Sequence, residues 1–359
     1  MRLLYATSIR FPSPLANRIQ ILETSKEFFA VLKNNFVLGI GENRDSTDLP
    51  CPSFSTGSNV KSFKLAYLYL KYSFKKKFTH IFCREERLLF FMLLYKTFFF
   101  WSQNISLIFE IHDLNNRHRS WYKFILSRVQ KIVVISQGLK TILIKEGISE
   151  SKIIVAPDAV DLAKFDISID MFSAREKLGL AEDKRIILCT GSLEAWKGID
   201  TFYKASNYFD NSYLFLNVGG RSTWVKEFEG WYPPKENFLL LGHKDHKDIP
   251  MYLKAADVLV IPNSAKVEIS NTATSPMKLF EYMASGRPIV ASNIPSIREI
   301  LDGESAFLVE PDDEASLAHG IKEAVNNKEA SVKLASCAIK KVQKFTWKER
   351  VEQILGHIK

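Results

Sequence analysis

Residues 275–291 read Ser275-Pro276-Met277-Lys278-Leu279-Phe280-Glu281-Tyr282-Met283-Ala284-Ser285-Gly286-Arg287-Pro288-Ile289-Val290-Ala291. Pro276 suits the first turn of a helix, where its missing N–H costs no hydrogen bond and its fixed φ is already helical. Gly286 suits the end of that helix, because it enters the left-handed region freely. The run Ile289–Ala291 then reads as a buried strand. A helix feeding a buried strand is part of a parallel α/β sheet. Glu281 falls inside the helix, where a carboxylate can accept two hydrogen bonds from a ribose diol, as acidic residues do in dinucleotide folds. The plainer reading of Glu281 is an exposed helical glutamate in an ion pair.

The same alternation runs outward in both directions. Leu3–Thr7, Phe36–Ile40, His80–Cys83, Leu107–Ile111, Ile132–Ile135 and Ile153–Val155 read as strands, with amphipathic stretches such as Ile19–Leu32 and Val60–Tyr72 between them. After a charged interval, a second series holds Ile186–Thr190, Tyr213–Val218, Phe238–Leu241, Val258–Ile261, Ile289–Ala291 and Phe307–Val309. Ala315–Asn326, Ala330–Lys341 and Trp347–Ile358 look helical. This pattern predicts two Rossmann-like, doubly wound α/β domains: residues 1–160, a linker at 161–184, and residues 185–344. Two such domains place a ligand site in the cleft between them, at the carboxyl ends of the strands. A chain of 359 residues is long enough for two cores.

Gly191-Ser192-Leu193-Glu194-Ala195-Trp196-Lys197-Gly198 follows a predicted strand and precedes a helix. Gly191 permits a turn where a ligand comes close. Lys197 beside a helix N-terminus combines a cation with free N–H groups, which suits a diphosphate. The P-loop spacing is absent. The plainer reading is a strand–turn–helix junction with a solvated lysine.

These segments resemble the GT-B retaining glycosyltransferases, specifically the large family 4 (glycosyl transferases group 1) that builds bacterial surface polysaccharides and glycolipids. Gly191–Gly198 resembles its donor-phosphate loop and Ser275–Ala291 its donor-binding helix. Leu239–His243 and Ala255–Pro262 resemble its intervening strands. Phe109–Asp113 resembles its E-x-H-D segment, and Pro157–Asp161 the approach to its linker. The resemblance implies that Lys197 holds the donor diphosphate and that Glu281 binds the ribose hydroxyls. It puts His112 near the transferred sugar, and the loop of Gly242 and His243 near the base. Ser192, Ser275, Pro276, Met277 and Lys278 join the donor-binding set. The final helix, 345–359, is implied to cross back onto the first domain.

Two positions depart from the family pattern. Ser192 stands where an arginine is frequent. Ala273 stands eight residues before Glu281, where a second glutamate is usual and helps orient the donor sugar. Lys278 adds an atypical cation nearby. The N-terminal loop Phe11–Gln20 also lacks the paired glycines common in the family. Retention at the anomeric carbon is implied, with the enzyme positioning groups and neutralising the departing diphosphate. No D-x-D triplet occurs, so no catalytic metal or other cofactor is indicated. The nucleoside-diphosphate sugar is a substrate, with UDP favoured over GDP, and the acceptor is a glycan or a lipid-linked glycan. A sugar-nucleotide epimerase and a catalytically silent partner of another transferase are the competing readings. Nucleoside diphosphate release that requires an acceptor separates them.

Charge is unevenly placed. Residues 1–160 hold 23 Lys+Arg against 12 Asp+Glu, and the remainder 26 against 28. The basic first half points to an anionic partner. Lys71, Lys75, Lys76 and Lys77 among Tyr67, Tyr69, Tyr72, Phe74 and Phe78 suit an anionic membrane surface. A core-facing aromatic stripe with outward lysines explains them equally well. No nucleic-acid motif is present. Leu88–Trp101 has 14 residues, against about 20 for a spanning helix, and reads as a buried or interfacial helix. Cys51, Cys83, Cys189 and Cys337 form no metal-ligand spacing and read as reduced thiols. With no signal peptide read at Met1–Ser8, the expected location is cytoplasmic, at the inner face of the cell membrane.

Overall fold

A computed structural model describes residues 1–11, 16–43, 49–56, 60–114 and 118–358. The chain divides into two compact units, Met1–Pro157 with Trp347–Lys359, and Asp158–Thr346.

The first unit is built on a seven-stranded parallel sheet. Its strands are β1 (Leu3–Ala6), β3 (Phe36–Ile40), β5 (Ser53–Ser55), β6 (His80–Cys83), β7 (Ser106–Ile111), β8 (Lys131–Val134) and β9 (Ile153–Val155), in the order β5-β3-β1-β6-β7-β8-β9. A separate ribbon pairs β2 (Arg10–Phe11) with β4 (Glu42–Asn43). The second unit has six parallel strands: β10 (Arg185–Thr190), β11 (Tyr213–Val218), β12 (Phe238–Leu240), β13 (Val258–Ile261), β14 (Ile289–Ser292) and β15 (Phe307–Val309). Their order is β12-β11-β10-β13-β14-β15. Along β10, Ile186 and Leu188 enter one apolar cluster while Ile187 and Cys189 enter another. Period-two alternation therefore buries both faces, which is why these strands read as continuous apolar runs.

The interval 161–184 is not a linker. It belongs to the second unit and carries the helices Leu162–Phe165 and Met171–Leu178. Asp170 caps the latter by accepting hydrogen bonds from the N–H groups of Phe172 and Ser173, and Gly179 ends it at φ 64°. Arg175, 2% exposed, fixes the helix to the sheet. Its Nε donates to the Ala255 carbonyl at 2.9 Å, and its Nη2 meets Asp257 Oδ2 at 2.7 Å. The charged composition that suggested a linker conceals this one buried guanidinium.

The helix Trp347–Ile358 belongs to the first unit, where Val351, Ile354, Leu355 and Ile358 join a core with Leu3, Tyr5 and Phe28. Its anchor is Arg350, which pairs with Glu110 of β7, both 2–3% exposed as side chains. Arg350 Nε also donates to the Pro157 carbonyl at 3.0 Å, and Tyr5 donates to Glu110 Oε2 at 3.2 Å. Burial alone would raise the Glu110 pKa, but Arg350 and His112 outweigh it and hold the carboxyl well below its ordinary value. Glu110 therefore contributes stability above the unfolded-state pKa, and that contribution is lost as pH falls toward the lower folded value. Removing one partner of a buried pair strands the other charge. Arg350→Ala is expected to cost about 3–5 kcal/mol in urea unfolding at pH 7. Glu110→Gln should flatten the loss of stability below about pH 4.5. An unchanged urea midpoint for Arg350→Ala would contradict this role.

Candidate functional site

In the second unit, the loops after β10, β11 and β12 meet through their backbones. Gly191 N–H donates to the Val218 carbonyl at 2.9 Å, and Gly219 N–H to the Gly242 carbonyl at 2.8 Å. A Cβ on Gly219, at φ 132°, would stand 2.3 Å from the Gly191 carbonyl oxygen. On the other side of β10, Gly198 at φ 69° leaves no room either: its Cβ would lie 1.8 Å from the Pro262 carbonyl oxygen. Glycine is required at these two points so that adjacent strand ends can close up. The result is a row of bare backbone along the carboxyl edge of one sheet, where α/β folds bind ligands.

Over this row stands the loop Gly191–Gly198. Its 3-10 turn, Ala195–Lys197, ends at Gly198, and the Trp196 carbonyl accepts Ser264 N–H at 2.9 Å and Ser270 Oγ at 3.1 Å. Lys197 Nζ lies 2.8 Å from Glu194 Oε2, donates to Ser192 Oγ, and sits 4.9 Å from the centre of the Trp196 ring. Ser192 in turn donates to Glu194 at 2.7 Å. Burial alone would raise the Glu194 pKa, but hydrogen bonds from Lys197 and Ser192 bring it below its ordinary value. The lysine is thus held in place by a carboxylate that is itself 41% exposed.

The helix Met277–Ser285 completes the site. Pro276 occupies the position just before this helix rather than its first turn, and Gly286 closes it at φ 75°. The Tyr282 hydroxyl accepts the Thr190 N–H at 2.6 Å and donates to Thr190 Oγ1 at 3.0 Å, tying the helix to the end of β10. Ser275 Oγ accepts the Asp158 N–H at 3.2 Å. Glu281 is 6% exposed, so it is not a solvated surface glutamate. Its Oε1 lies 2.8 Å from His246 Nε2. Lys278 is 9% exposed, and its Nζ has no hydrogen-bond partner. Asn263, fully buried just beyond β13, has neither side-chain amide atom hydrogen-bonded.

The structure therefore gathers Gly191, Ser192, Lys197 and Gly242 at strand ends of one sheet, with Ser275, Lys278 and Glu281 on or beside a helix bound to β10. His243 is exposed. The histidine that contacts Glu281 is His246. The pair Gly219-Gly220 escaped the sequence reading. The visible signal was two consecutive glycines after an apolar run. His112 lies in the first unit, directly after β7, with Nε2 3.2 Å from Glu110 Oε1. There it adjoins the Arg350–Glu110 pair. The N-terminal loop falls partly on residues 12–15, outside the described residues, and a helix begins at Ala16. Ala273 is buried, in a single π-helical turn, Ile269–Ala273. A separate recess of about 540 Å³ at the far end of the helix Met277–Ser285, lined by Lys254, Arg287 and Ile339 among others, includes neither Lys197 nor Glu281.

Two parallel-sheet Rossmann-like units with this topology define the GT-B fold. The solved structure of Anabaena Alr3699/HepE in complex with UDP superposes with a TM-score of 0.79, covering 99% of both chains at 18% identity. Residues 170–341 match the family model described as Glycosyl transferases group 1. That match lies within the second unit, and the likeness to HepE shows the fold. The chain is similar to an Escherichia coli UDP-Gal:alpha-D-GlcNAc-diphosphoundecaprenol alpha-1,3-galactosyltransferase, 28% identical over 62% of this chain and 58% of that one. It is also similar to a D-inositol 3-phosphate glycosyltransferase of Stackebrandtia nassauensis, 23% identical over 57% of this chain and 48% of that one. The chain spans about half the length of these curated relatives.

Proposed function

We propose that this protein transfers a sugar from a nucleoside-diphosphate donor, UDP in preference to GDP, to a glycan or lipid-linked acceptor, with retention at the anomeric carbon. The observation that carries the reading is a loop cation, Lys197, and a buried carboxylate, Glu281, on elements tied together at one sheet edge. A cation over bare backbone suits a diphosphate, and a buried carboxylate suits a ribose diol. The UDP and UDP-glucose complexes of HepE and the donor in the Escherichia coli relative's name favour the same class of donor. The names of that relative and of a lipopolysaccharide core mannosyltransferase from Rhizobium meliloti favour a role in surface polysaccharide assembly.

In this reading the bond between the anomeric carbon and the diphosphate oxygen breaks as the acceptor oxygen bonds to the same face. The acceptor proton passes to the departing diphosphate. Lys197 leaves Glu194 for that diphosphate and interacts most strongly when the negative charge is greatest. Glu281 exchanges His246 for the ribose hydroxyls. Lys197→Ala should lower turnover about 100- to 1000-fold with little change in donor KM. Glu281→Ala should weaken UDP binding about 10- to 100-fold. The checks are UDP release from a panel of UDP-sugars, with and without added acceptors, and calorimetry with UDP. Near-normal turnover by a folded Lys197→Ala protein, or acceptor-independent chemistry, would overturn the reading.

The first unit offers a place for a membrane-borne acceptor. Tyr69 and Phe78 are buried, and Tyr72 stacks on Phe54 with ring centres 4.2 Å apart, so part of the aromatic stripe is core. Phe63, Phe74, Phe98 and Phe100 are exposed, the last two at 80% and 88%, and Lys71, Lys75, Lys76 and Lys77 are also exposed. Leu88, Leu89, Met92 and Leu93 are buried. Among the described residues no helix is long and apolar enough to cross a membrane. Exposed aromatics beside lysines suit interfacial contact with anionic lipid at the inner face of the cell membrane. Binding to phosphatidylglycerol vesicles should fall as salt rises, and Phe98→Ser with Phe100→Ser should weaken it. Equal sedimentation with neutral and anionic vesicles would exclude this surface.

A further inference from the structure

Most charged side chains at the donor site already have partners. Lys197 is neutralised by Glu194, and Glu281 is engaged by His246. Lys278 is different. It is nine-tenths buried, its Nζ makes no hydrogen bond, and no carboxylate among the described residues pairs with it. Burial lowers the pKa of its ammonium group. Of its charged or titratable neighbours, the Cys189 thiol raises that pKa and the Lys197 ammonium lowers it. Lys278 precedes Tyr282 by four residues, so both share one face of the helix. Tyr282 reaches Thr190, the last residue of β10. One turn earlier, Lys278 therefore stands over the residues that follow Thr190, the loop that begins at Gly191. A buried, unpaired cation destabilises a fold. Its presence calls for an anion that the ligand-free chain does not contain.

Resting on the donor reading above, we propose that Lys278 is a second diphosphate-binding cation, acting with Lys197. A nucleoside diphosphate brings more than one negative charge, which the single ammonium of Lys197 does not balance. Lys278 adds positive charge in a site screened from water, where it acts most strongly. It makes the ligand-free chain less stable and the diphosphate-bound chain more stable.

The test compares wild type with Lys278→Met and Lys278→Gln. Calorimetry with pyrophosphate, UDP and uridine is paired with thermal unfolding of the ligand-free proteins. Both variants should bind pyrophosphate and UDP about 10- to 100-fold more weakly and uridine equally well. Ligand-free Lys278→Met should melt at or above the wild-type temperature, an outcome that a structural lysine would not give. Wild-type affinity for pyrophosphate in either folded variant would overturn the proposal alone. So would failure of both variants to fold, because the proposal makes Lys278 a burden on the fold. A wild-type protein that binds neither UDP nor pyrophosphate would overturn the donor reading as well.

Discussion

The geometry of the candidate site depends on the two hydrogen bonds between Tyr282 and Thr190. Thr190 is in register with Val218 of β11, and its N–H goes to the Tyr282 phenol. The phenol satisfies that N–H and offers its own proton to the threonine hydroxyl, so a fully buried side chain fixes the helix against the strand end. Glu281 and Lys278 are on that helix, and Gly191 follows Thr190 directly. Without this tie, the helix that carries Glu281 and Lys278 would lose its hydrogen bonds to the end of β10.

The second constraint is steric. Parallel strands turn at a common edge, and the loops leaving β10, β11 and β12 must pass within backbone contact of one another. Glycine at 198 and 219 leaves room for this approach, and Gly191 and Gly242 take the positive φ of the turns. Bare backbone then lines the place where a phosphate would sit. The site charges are held as pairs, Lys197 with Glu194 and His246 with Glu281, which keeps them ordered without a ligand and available for exchange. A mobile lysine would lose side-chain entropy on binding, and a pre-placed one has already lost it.

Much of this was legible in the sequence. Strands buried on both faces appear as unbroken apolar runs, so Phe36–Ile40, Tyr213–Val218 and Val258–Ile261 could be read to the residue. β5 could not, because Ser53–Ser55 is a polar edge strand. The helix Met171–Leu178 was hidden by its charge, since its attachment is a buried guanidinium rather than an apolar stripe. In the site, Lys197 and Glu281 announced themselves through turn and helix signals. His246 did not, because its approach to Glu281 depends on how the turn His246–Asp248 packs, which no local pattern encodes. The burial of Lys278 was equally invisible, since a lysine in a helix ordinarily reads as solvated.

The central claim is that Lys197 and Glu281 exchange their internal partners for a nucleoside diphosphate. A crystal structure of the chain with UDP tests it most directly. The account predicts the diphosphate against Lys197 and the Gly191–Gly198 loop, with Glu194 released, and the ribose hydroxyls on Glu281 with His246 displaced. UDP bound elsewhere, with the Lys197–Glu194 and His246–Glu281 pairs intact, would contradict it.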